Sequence, residues 1–219
     1  MRKQCPTCLL MTVAAVVALA AGFFLSQQHA GRDEANLRKL QESLASASAF
    51  PPGFRRLPEF TLRDAGGESL TRDDLLGQWT LAFFGYTNCP DVCPMTLGVL
   101  KAAMPELREQ PETAGTEVLF VSVDGARDTP EQLSRYINYF DPQFLAATAD
   151  EGEIERLTST IGIVYKRVEN PNSAEDYLVD HSAGIIIFDP DGEMRGMLSA
   201  PHSAQNIVAD YTKIRRHFN

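Results

Sequence analysis

Two cysteines four residues apart are the side chains of this sequence best suited to chemistry. Cys89 and Cys93 lie in the run YTNCPDVCP, which occupies residues 86–94. A residue that precedes proline is displaced from the α conformation, and proline suits the first position of a helix. We therefore expect Cys93 at the N-cap of a helix and Pro94 at its first position. The unpaired N–H groups and the positive end of the helix dipole would favour the thiolate form of both sulfurs.

The spacing of these cysteines favours metal binding over a disulfide without excluding the disulfide. Side chains four apart on a helix have Cβ atoms about 5–6 Å apart, whereas a disulfide needs roughly 3.5–4.5 Å. A metal that bridges two sulfurs at about 2.3 Å each tolerates the wider separation. Because Cys89 is predicted in the loop rather than in the helix, both uses of the pair stay open.

The elements around the pair predict an α/β domain. An apolar strand at 79–86 precedes the cysteines, and apolar residues at helical spacing follow them up to Pro105, which should stop or kink that helix. Further strands are predicted at 57–62, 117–123, 144–147, 163–168 and 194–198, and residues 177–182 lead into an apolar strand at 183–188. Helices should begin after Thr129 and Ser203, and another should end at Gly162. This order predicts a thioredoxin-like domain, with a mixed central sheet flanked by helices.

Composition limits the classes of function. The 219 residues carry a formal net charge of -9, so we expect no binding to nucleic acid. The four cysteines form two close pairs, Cys89/Cys93 and Cys5/Cys8, which are too few for a disulfide framework in a chain of this length. The Cys5/Cys8 pair lacks a preceding strand, and we interpret it as an idle or palmitoylatable pair rather than a redox or zinc half-site.

The N-terminal part of the chain predicts membrane attachment. Residues 1–8 are short and basic, and residues 9–25 contain no charge, so we interpret them as a cytoplasmic end and a single transmembrane anchor. Cleavage as a signal peptide after Ala18-Leu19-Ala20 is the alternative. Residues 26–53 are predicted as a partly helical tether, and residues 54–219 as the folded domain. This topology predicts a bacterial inner-membrane protein with its domain in the periplasm.

Three motifs resemble those of the Sco/SenC family of copper chaperones. They are FFGYTNCPDVCP at 83–94, RDTP at 127–130 after a Val-Ser-Val-Asp strand, and DHS at 180–182 before an apolar strand. The resemblance covers roughly residues 54–218. One departure is Gly125, where the family usually has proline after the aspartate, so the loop near the site could differ in rigidity or in choice of partner.

The resemblance implies a function and a set of ligands. It implies a thioredoxin-like domain on a membrane anchor that binds copper, as Cu(I) or Cu(II), through Cys89, Cys93 and His181. It also implies help in assembling the binuclear copper centre of cytochrome c oxidase, with oxidase subunit II as the copper acceptor. Other copper carriers or thiol reductants are further candidate partners. Two thiolates and an imidazole suit copper, and a three-ligand site leaves a position open for transfer of the metal.

Alternatives stand beside this interpretation. The pair Cys89/Cys93 could cycle between dithiol and disulfide, as in a thiol–disulfide oxidoreductase acting on the copper acceptor. A peroxidase or redox sensor would instead need one cysteine that reacts fast with peroxide. His202 is the substitute for His181, and Met95 is a candidate thioether ligand that we favour as a core residue. We interpret the adjacent residues 127 and 128 as a structural link that holds their loop near the site.

Overall fold

The structure is a computed structural model that describes residues 23, 24, 26, 28, 31–170 and 173–219, with the main chain alone at 169, 170, 173–176 and 181. The chain divides into a first unit, Met1–Glu42, and a second unit, Ser43–Asn219. The predicted anchor at 9–25 lies outside the described residues apart from Phe23 and Phe24, and so do Cys5 and Cys8. Within the described part of the chain, no helix has the length and apolar character needed to cross a bilayer.

The second unit is built on a mixed sheet, as predicted. Its strands are β1 (Ala47–Ala49), β2 (Thr61–Asp64), β3 (Ser69–Thr71), β4 (Thr80–Gly85), β5 (Glu117–Ser122), β6 (Leu145–Thr148), β7 (Tyr165–Asn170), β8 (Ser173–His181), β9 (Ile185–Phe188) and β10 (Met194–Leu198). Eight of them form one sheet in the order β1-β10-β9-β4-β5-β6-β2-β3. Pairs β4/β5 and β5/β6 are parallel and the other neighbours are antiparallel.

The helices begin and end largely where local sequence signals place them. They are α1 (residues 31–43), α2 (Val92–Glu109), α3 (Pro130–Phe140), α4 (Glu151–Ile161) and α5 (Ala204–Phe218), with a 3-10 helix at Arg72–Leu75. The side chains of Thr129 and Ser203 cap α3 and α5, and Gly162 ends α4 in the left-handed conformation with φ 82°. Helix α2 packs against α5, and α3 packs against β6.

Pro105 does not end helix α2, so of the two expectations, a stop or a kink, the stop is wrong. It lies inside the helix, which continues to Glu109. The neighbouring residues Met104 and Leu107 are buried, at 1% and 0% exposure. An internal proline costs a helix about 3 kcal/mol. Burial of the apolar face of α2 offsets that cost, because fully burying one such side chain contributes about 1.5–3 kcal/mol.

The topology brings two loops together. All six residues of β4 are buried, and its parallel partner β5 is buried except at its first residue. The loops that follow the carboxyl ends of adjacent parallel strands lie at the same edge of a sheet. The loop after β4 carries Cys89, and the loop after β5 carries Asp124 and Asp128.

The segment expected as a tether contributes a strand to the domain. Strand β1 pairs antiparallel with β10. The fully buried carboxylate of Asp210 accepts hydrogen bonds from the backbone N–H groups of Ala45, Ser46 and Ala47, at 2.9, 2.7 and 3.1 Å. The second unit therefore begins at Ser43, before the position 54 that we inferred from the sequence.

Candidate metal centre

The two cysteines lie where the β4 strand turns into helix α2. Cys89 is half-buried in the loop, and Cys93 is fully buried in the first turn of the helix. The Cys93 backbone N–H donates to Cys89 Sγ at 3.4 Å, and no disulfide joins the two sulfurs. The helix begins at Val92 with Asp91 as its N-cap, so our expectation of Cys93 at the N-cap and Pro94 at the first position was wrong. Pro94 still lies within the first turn, where a missing N–H costs no helical hydrogen bond.

A glycine that we assigned no role makes room for the buried sulfur. A Cβ added at Gly85 would lie 2.6 Å from Cys93 Sγ and 3.0 Å from Phe120 Cε2. A side chain at this last position of β4 would therefore displace the sulfur or the ring. The sequence signal was present, because Gly85 lies in the apolar run just before the cysteine loop, but its role depends on how closely α2 approaches β4.

Cys93 holds its proton more strongly than we expected. The hydrogen bond between Cys93 and Cys89, together with burial, raises the pKa of the Cys93 thiol well above its usual range. The Tyr86 N–H opposes this rise by hydrogen bonding to the Cys93 sulfur. The expectation that the helix N-terminus favours thiolate at both cysteines is therefore wrong for Cys93, because desolvation and the neighbouring sulfur outweigh the helix dipole.

Asp128 holds the cysteine loop in place. Its side chain is fully buried, and its carboxylate accepts hydrogen bonds from the Thr87 N–H at 2.8 Å, the Thr87 hydroxyl at 2.6 Å and the Ser122 hydroxyl at 2.5 Å. Burial raises the pKa of the Asp128 carboxyl, although the hydrogen bonds from Ser122 and Thr87 act in the opposite direction. The loop after β5 is thereby fastened to Thr87, two residues before Cys89.

The loop after β5 also binds the β7–β8 hairpin. Arg127 Nε donates to Asp124 Oδ2 at 2.5 Å, and Arg127 Nη1 donates to the Tyr177 carbonyl at 3.1 Å. The Tyr177 hydroxyl donates to Asp124 Oδ1 at 2.5 Å. Residues 127 and 128 are thus a structural link, as we interpreted them, between the cysteine loop on one side and strand β8 on the other.

Tyr86 also connects the cysteine site with strand β8. Its N–H contacts the Cys93 sulfur, and its hydroxyl accepts a hydrogen bond from the Val179 backbone. Burial raises the pKa of the Tyr86 hydroxyl, so it stays protonated at neutral pH. Val179 lies on β8, two residues before His181.

Strand β8 ends at His181, which pairs in register with Tyr165 of β7. The His181 side chain lies outside the described residues, so the predicted three-ligand site is a hypothesis here. Among the side chains that are described, no three His, Cys, Asp or Glu residues converge as a metal-binding group. The substitute ligand His202 has its Nε2 at 2.7 Å from the Ala183 carbonyl oxygen. Met95 is 58% exposed, so our interpretation of it as a core residue was wrong.

The unusual glycine in the loop after β5 has a steric reason. A Cβ added at Gly125 would lie 1.9 Å from the Ala149 carbonyl oxygen, and this oxygen belongs to the backbone just after β6. A proline at this position would require the loop or the end of β6 to move. Glycine at position 125, where the family usually has proline, thus allows this loop to approach the backbone after β6 closely, next to the contacts of Asp124.

Comparison with known proteins identifies the family. The sequence profile of the SCO1/SenC family matches residues 52–216. This chain belongs to the SCO1/SenC family. The resemblance inferred from the three motifs is therefore confirmed, and so is the thioredoxin-like Sco fold.

Relatives and solved structures of the family agree with this assignment. The mitochondrial SCO2 homolog of Bos taurus is 33% identical over 159 residues, which are 73% of this chain and 58% of that protein. The crystal structure of Arabidopsis thaliana ScoI with copper bound is 31% identical, with a TM-score of 0.68 over 73% of this chain and 97% of that one. Bradyrhizobium japonicum ScoI with copper bound is also 31% identical, with a TM-score of 0.63 over 73% and 98% of the two chains.

Proposed function

We propose that this SCO1/SenC chain binds one copper ion through Cys89, Cys93 and His181 and serves in the assembly of cytochrome c oxidase. Two solved relatives of the same fold contain copper. Two sulfurs and an imidazole nitrogen form a donor set soft enough for Cu(I) that also holds Cu(II). With three protein ligands, a fourth position is open to an acceptor's ligand during transfer.

The single observation that carries this proposal is the contact of strand β8 with the cysteine loop. The Tyr86 hydroxyl meets Val179, and the Tyr86 N–H meets the Cys93 sulfur. Side chains alternate along a strand, so positions 177, 179 and 181 belong to one face of β8. Tyr177 and Val179 are both buried, at 6% exposure each, toward the loops that carry the site. The position of His181 at the end of this face supports its role as the third ligand.

Copper binding by histidine variants of the full-length chain tests the ligand set. Affinity for copper is measured by competition with a chelator of known affinity, after reduction of the thiols. We expect His181→Ala to weaken binding by at least about 100-fold, since even an outer partner of a metal ligand contributes about 10–100-fold. His217→Ala is the matched control, because His217 is exposed in the last turn of α5.

The outcomes of this experiment separate the candidate ligands. Unchanged affinity in His181→Ala with a large loss in His202→Ala would move the third ligand to His202. Unchanged affinity in both variants would leave a dithiol pair alone, which is the arrangement of a thiol–disulfide oxidoreductase. Either result would overturn the proposed ligand set.

We propose that the copper acceptor is subunit II of cytochrome c oxidase. The open position of a three-ligand site supports this, because a ligand of the acceptor can bind the ion before the carrier releases it. In the test, the copper-loaded chain is mixed with metal-free subunit II, and the visible spectrum of the binuclear centre is followed. Appearance of that spectrum with wild type but not with Cys93→Ser is expected. A centre that forms equally fast from free copper would argue against a specific carrier.

We also propose that residues 9–25 anchor the chain in a bacterial inner membrane, with the folded domain in the periplasm. The uncharged stretch preceded by Arg2 and Lys3 supports this orientation. Protease added to spheroplasts should cut the domain from the membrane, whereas inverted vesicles should protect it. A domain protected in spheroplasts, or recovered with the soluble fraction at the mass of a cleaved chain, would overturn the anchor.

A further inference from the structure

The β7–β8 hairpin depends on side chains for its attachment near the site. In the described chain, β7 and β8 pair only with each other and form a separate two-stranded sheet. The eight-stranded sheet therefore does not set the position of β8 through a backbone ladder. The contacts of Tyr177 and Val179 and the short connections to α4 and β9 set it instead.

Tyr177 lies between two guanidinium groups. The Cζ atoms of Arg127 and Arg167 are each 3.5 Å from the centroid of the Tyr177 ring. Two planar groups at that height cannot share one face of a ring, so the guanidiniums lie on opposite faces. Arg127 belongs to the loop after β5, and Arg167 belongs to the hairpin itself. The Tyr177 ring is thus held by two cation–π contacts, one from the loop after β5 and one from β7.

The hydroxyl of Tyr177 fixes the remaining freedom of the ring. It donates to Asp124, whose other carboxylate oxygen accepts from Arg127. Stacking alone would let the ring slide between the guanidiniums, whereas a hydrogen bond to a buried carboxylate sets its depth and rotation. Asp124 is 5% exposed, so this bond is made largely out of water.

We propose that Tyr177 is a positioning residue for the metal: it sets where the end of β8, and with it His181, lies relative to the cysteine loop. This inference rests on the proposed copper site. The chain of contacts runs from Tyr177 to Asp124 and Arg127, through their loop to Asp128, and from Asp128 to Thr87 beside the cysteines. An apolar residue would fill the same space between β8 and the loop, but it would lack the bond to Asp124.

Removal of the hydroxyl alone gives the sharpest test. In the full-length chain, Tyr177→Phe keeps the stacked ring and loses the bond to Asp124. We expect copper(II) affinity to fall by up to about tenfold, since a hydrogen bond to a charged group contributes at least that factor to holding β8 in place and only part of this reaches the metal. The electron paramagnetic resonance spectrum should also show a changed nitrogen coupling. Tyr139→Phe is the control, because it removes a hydroxyl from a ring that is 78% exposed on α3.

A double variant shows whether Tyr177 acts through His181. If it does, Tyr177→Phe should have no further effect on copper affinity in a His181→Ala chain. An equal loss in both backgrounds, or no loss in either, would overturn the positioning role. Unchanged affinity in His181→Ala itself would overturn the proposed ligand set instead, so the two failures are distinguishable.

A second variant keeps the test valid if Tyr177→Phe folds poorly. Arg167→Gln removes one stacked guanidinium from an exposed side chain of β7. The melting temperature should change little, because the loss is confined to one cation–π contact of an exposed side chain. A weaker copper affinity with the same altered nitrogen coupling supports the inference, and wild-type values for both contradict it.

Discussion

The Cys93 sulfur lies directly against the backbone of Gly85, at a separation that leaves no space for a methyl group. A Cβ placed on Gly85 would be 2.6 Å from Cys93 Sγ. Real Cβ atoms do not approach a sulfur so closely, so either the first turn of α2 or the end of β4 would have to move. The position of one candidate copper ligand therefore depends on the absence of a side chain eight residues earlier.

Gly85→Ala should therefore damage both the fold and the metal site. Overpacking of a buried position typically costs about 1–3 kcal/mol. We expect the free energy of unfolding to fall by that amount and copper affinity to fall by at least tenfold, measured by denaturant titration and chelator competition. Gly98→Ala is the matched control, because no atom lies within 4 Å of its added Cβ and alanine favours a helix interior by about 1 kcal/mol. Wild-type affinity in Gly85→Ala would contradict the proposed role of this contact.

Asp128→Asn should loosen the cysteine loop. The amide replaces one of the two acceptor oxygens that bind the Thr87 N–H, the Thr87 hydroxyl and the Ser122 hydroxyl. Leaving a buried partner unsatisfied costs about 1–3 kcal/mol, which should appear as a lower free energy of unfolding. Asp73→Asn, at an exposed position of the 3-10 helix, should change the free energy of unfolding by less than about 0.5 kcal/mol. Equal stability of the two variants would show that the Asp128 hydrogen bonds do not hold the loop.

The two cysteines should differ in their reactivity toward an alkylating agent. Cys93 is fully buried and has a raised pKa, so its thiol is protonated and shielded at neutral pH, whereas Cys89 is half-buried. With limiting iodoacetamide, we expect the label on Cys89 before Cys93, as measured by peptide mass spectrometry. Faster labelling of Cys93 would mean that the helix opens at its first turn in solution.

The raised pKa of Cys93 also predicts the pH dependence of copper binding. The folded, metal-free chain retains the Cys93 proton below the raised pKa, and copper must displace that proton to bind the thiolate. Proton competition weakens as the pH rises, so affinity should increase about tenfold per pH unit for each proton released. Titration between pH 6 and 8 and direct measurement of proton release check the sign. In Cys93→Ser the slope should fall, and an unchanged slope would assign the proton to another group.

A fragment that begins at residue 54 should be less stable than one that begins at residue 43. The shorter fragment lacks β1, and it leaves the carboxylate of Asp210 without the backbone N–H groups of Ala45, Ser46 and Ala47. Removal of the partners of a buried charge costs about 3–5 kcal/mol. Thermal denaturation of both fragments measures the difference. Equal stability would mean that β10 forms an adequate edge of the sheet by itself.

Most of the fold followed from local signals in the sequence. Apolar runs predicted β4, β5 and β9, and the caps Thr129, Gly162 and Ser203 placed the ends of three helices. Strand β1 was missed, because its small Ala and Ser residues carry no alternating pattern. It pairs with β10, and its Ala47 N–H donates to the Asp210 carboxylate, 163 residues later in the chain. Information of that kind is absent from any short window of sequence.

In the candidate site too, residues with a local sequence signal were predicted, and residues that act through tertiary contacts were not. The cysteine pair and its loop were predicted because their residue types and spacing carry the signal. Gly85 and Tyr177 were not given roles, since each acts through a tertiary approach: a helix against a strand in one case, a hairpin against a loop in the other. Cys93 was expected as a thiolate from its place at a helix N-terminus, and burial beside a second sulfur reverses that expectation.

The separate pairing of β7 with β8 has a consequence for how a bound ion could leave. Opening of this hairpin breaks no hydrogen bond of the eight-stranded sheet, so we expect its opening free energy to be lower than that of global unfolding. Amide protons of β8 should accordingly exchange with solvent much faster than those of β4. If His181 is the third ligand as proposed, it lies on this hairpin while both cysteines lie on the loop and helix that follow β4, so opening of the hairpin would remove one ligand from a bound metal while the rest of the domain stays folded.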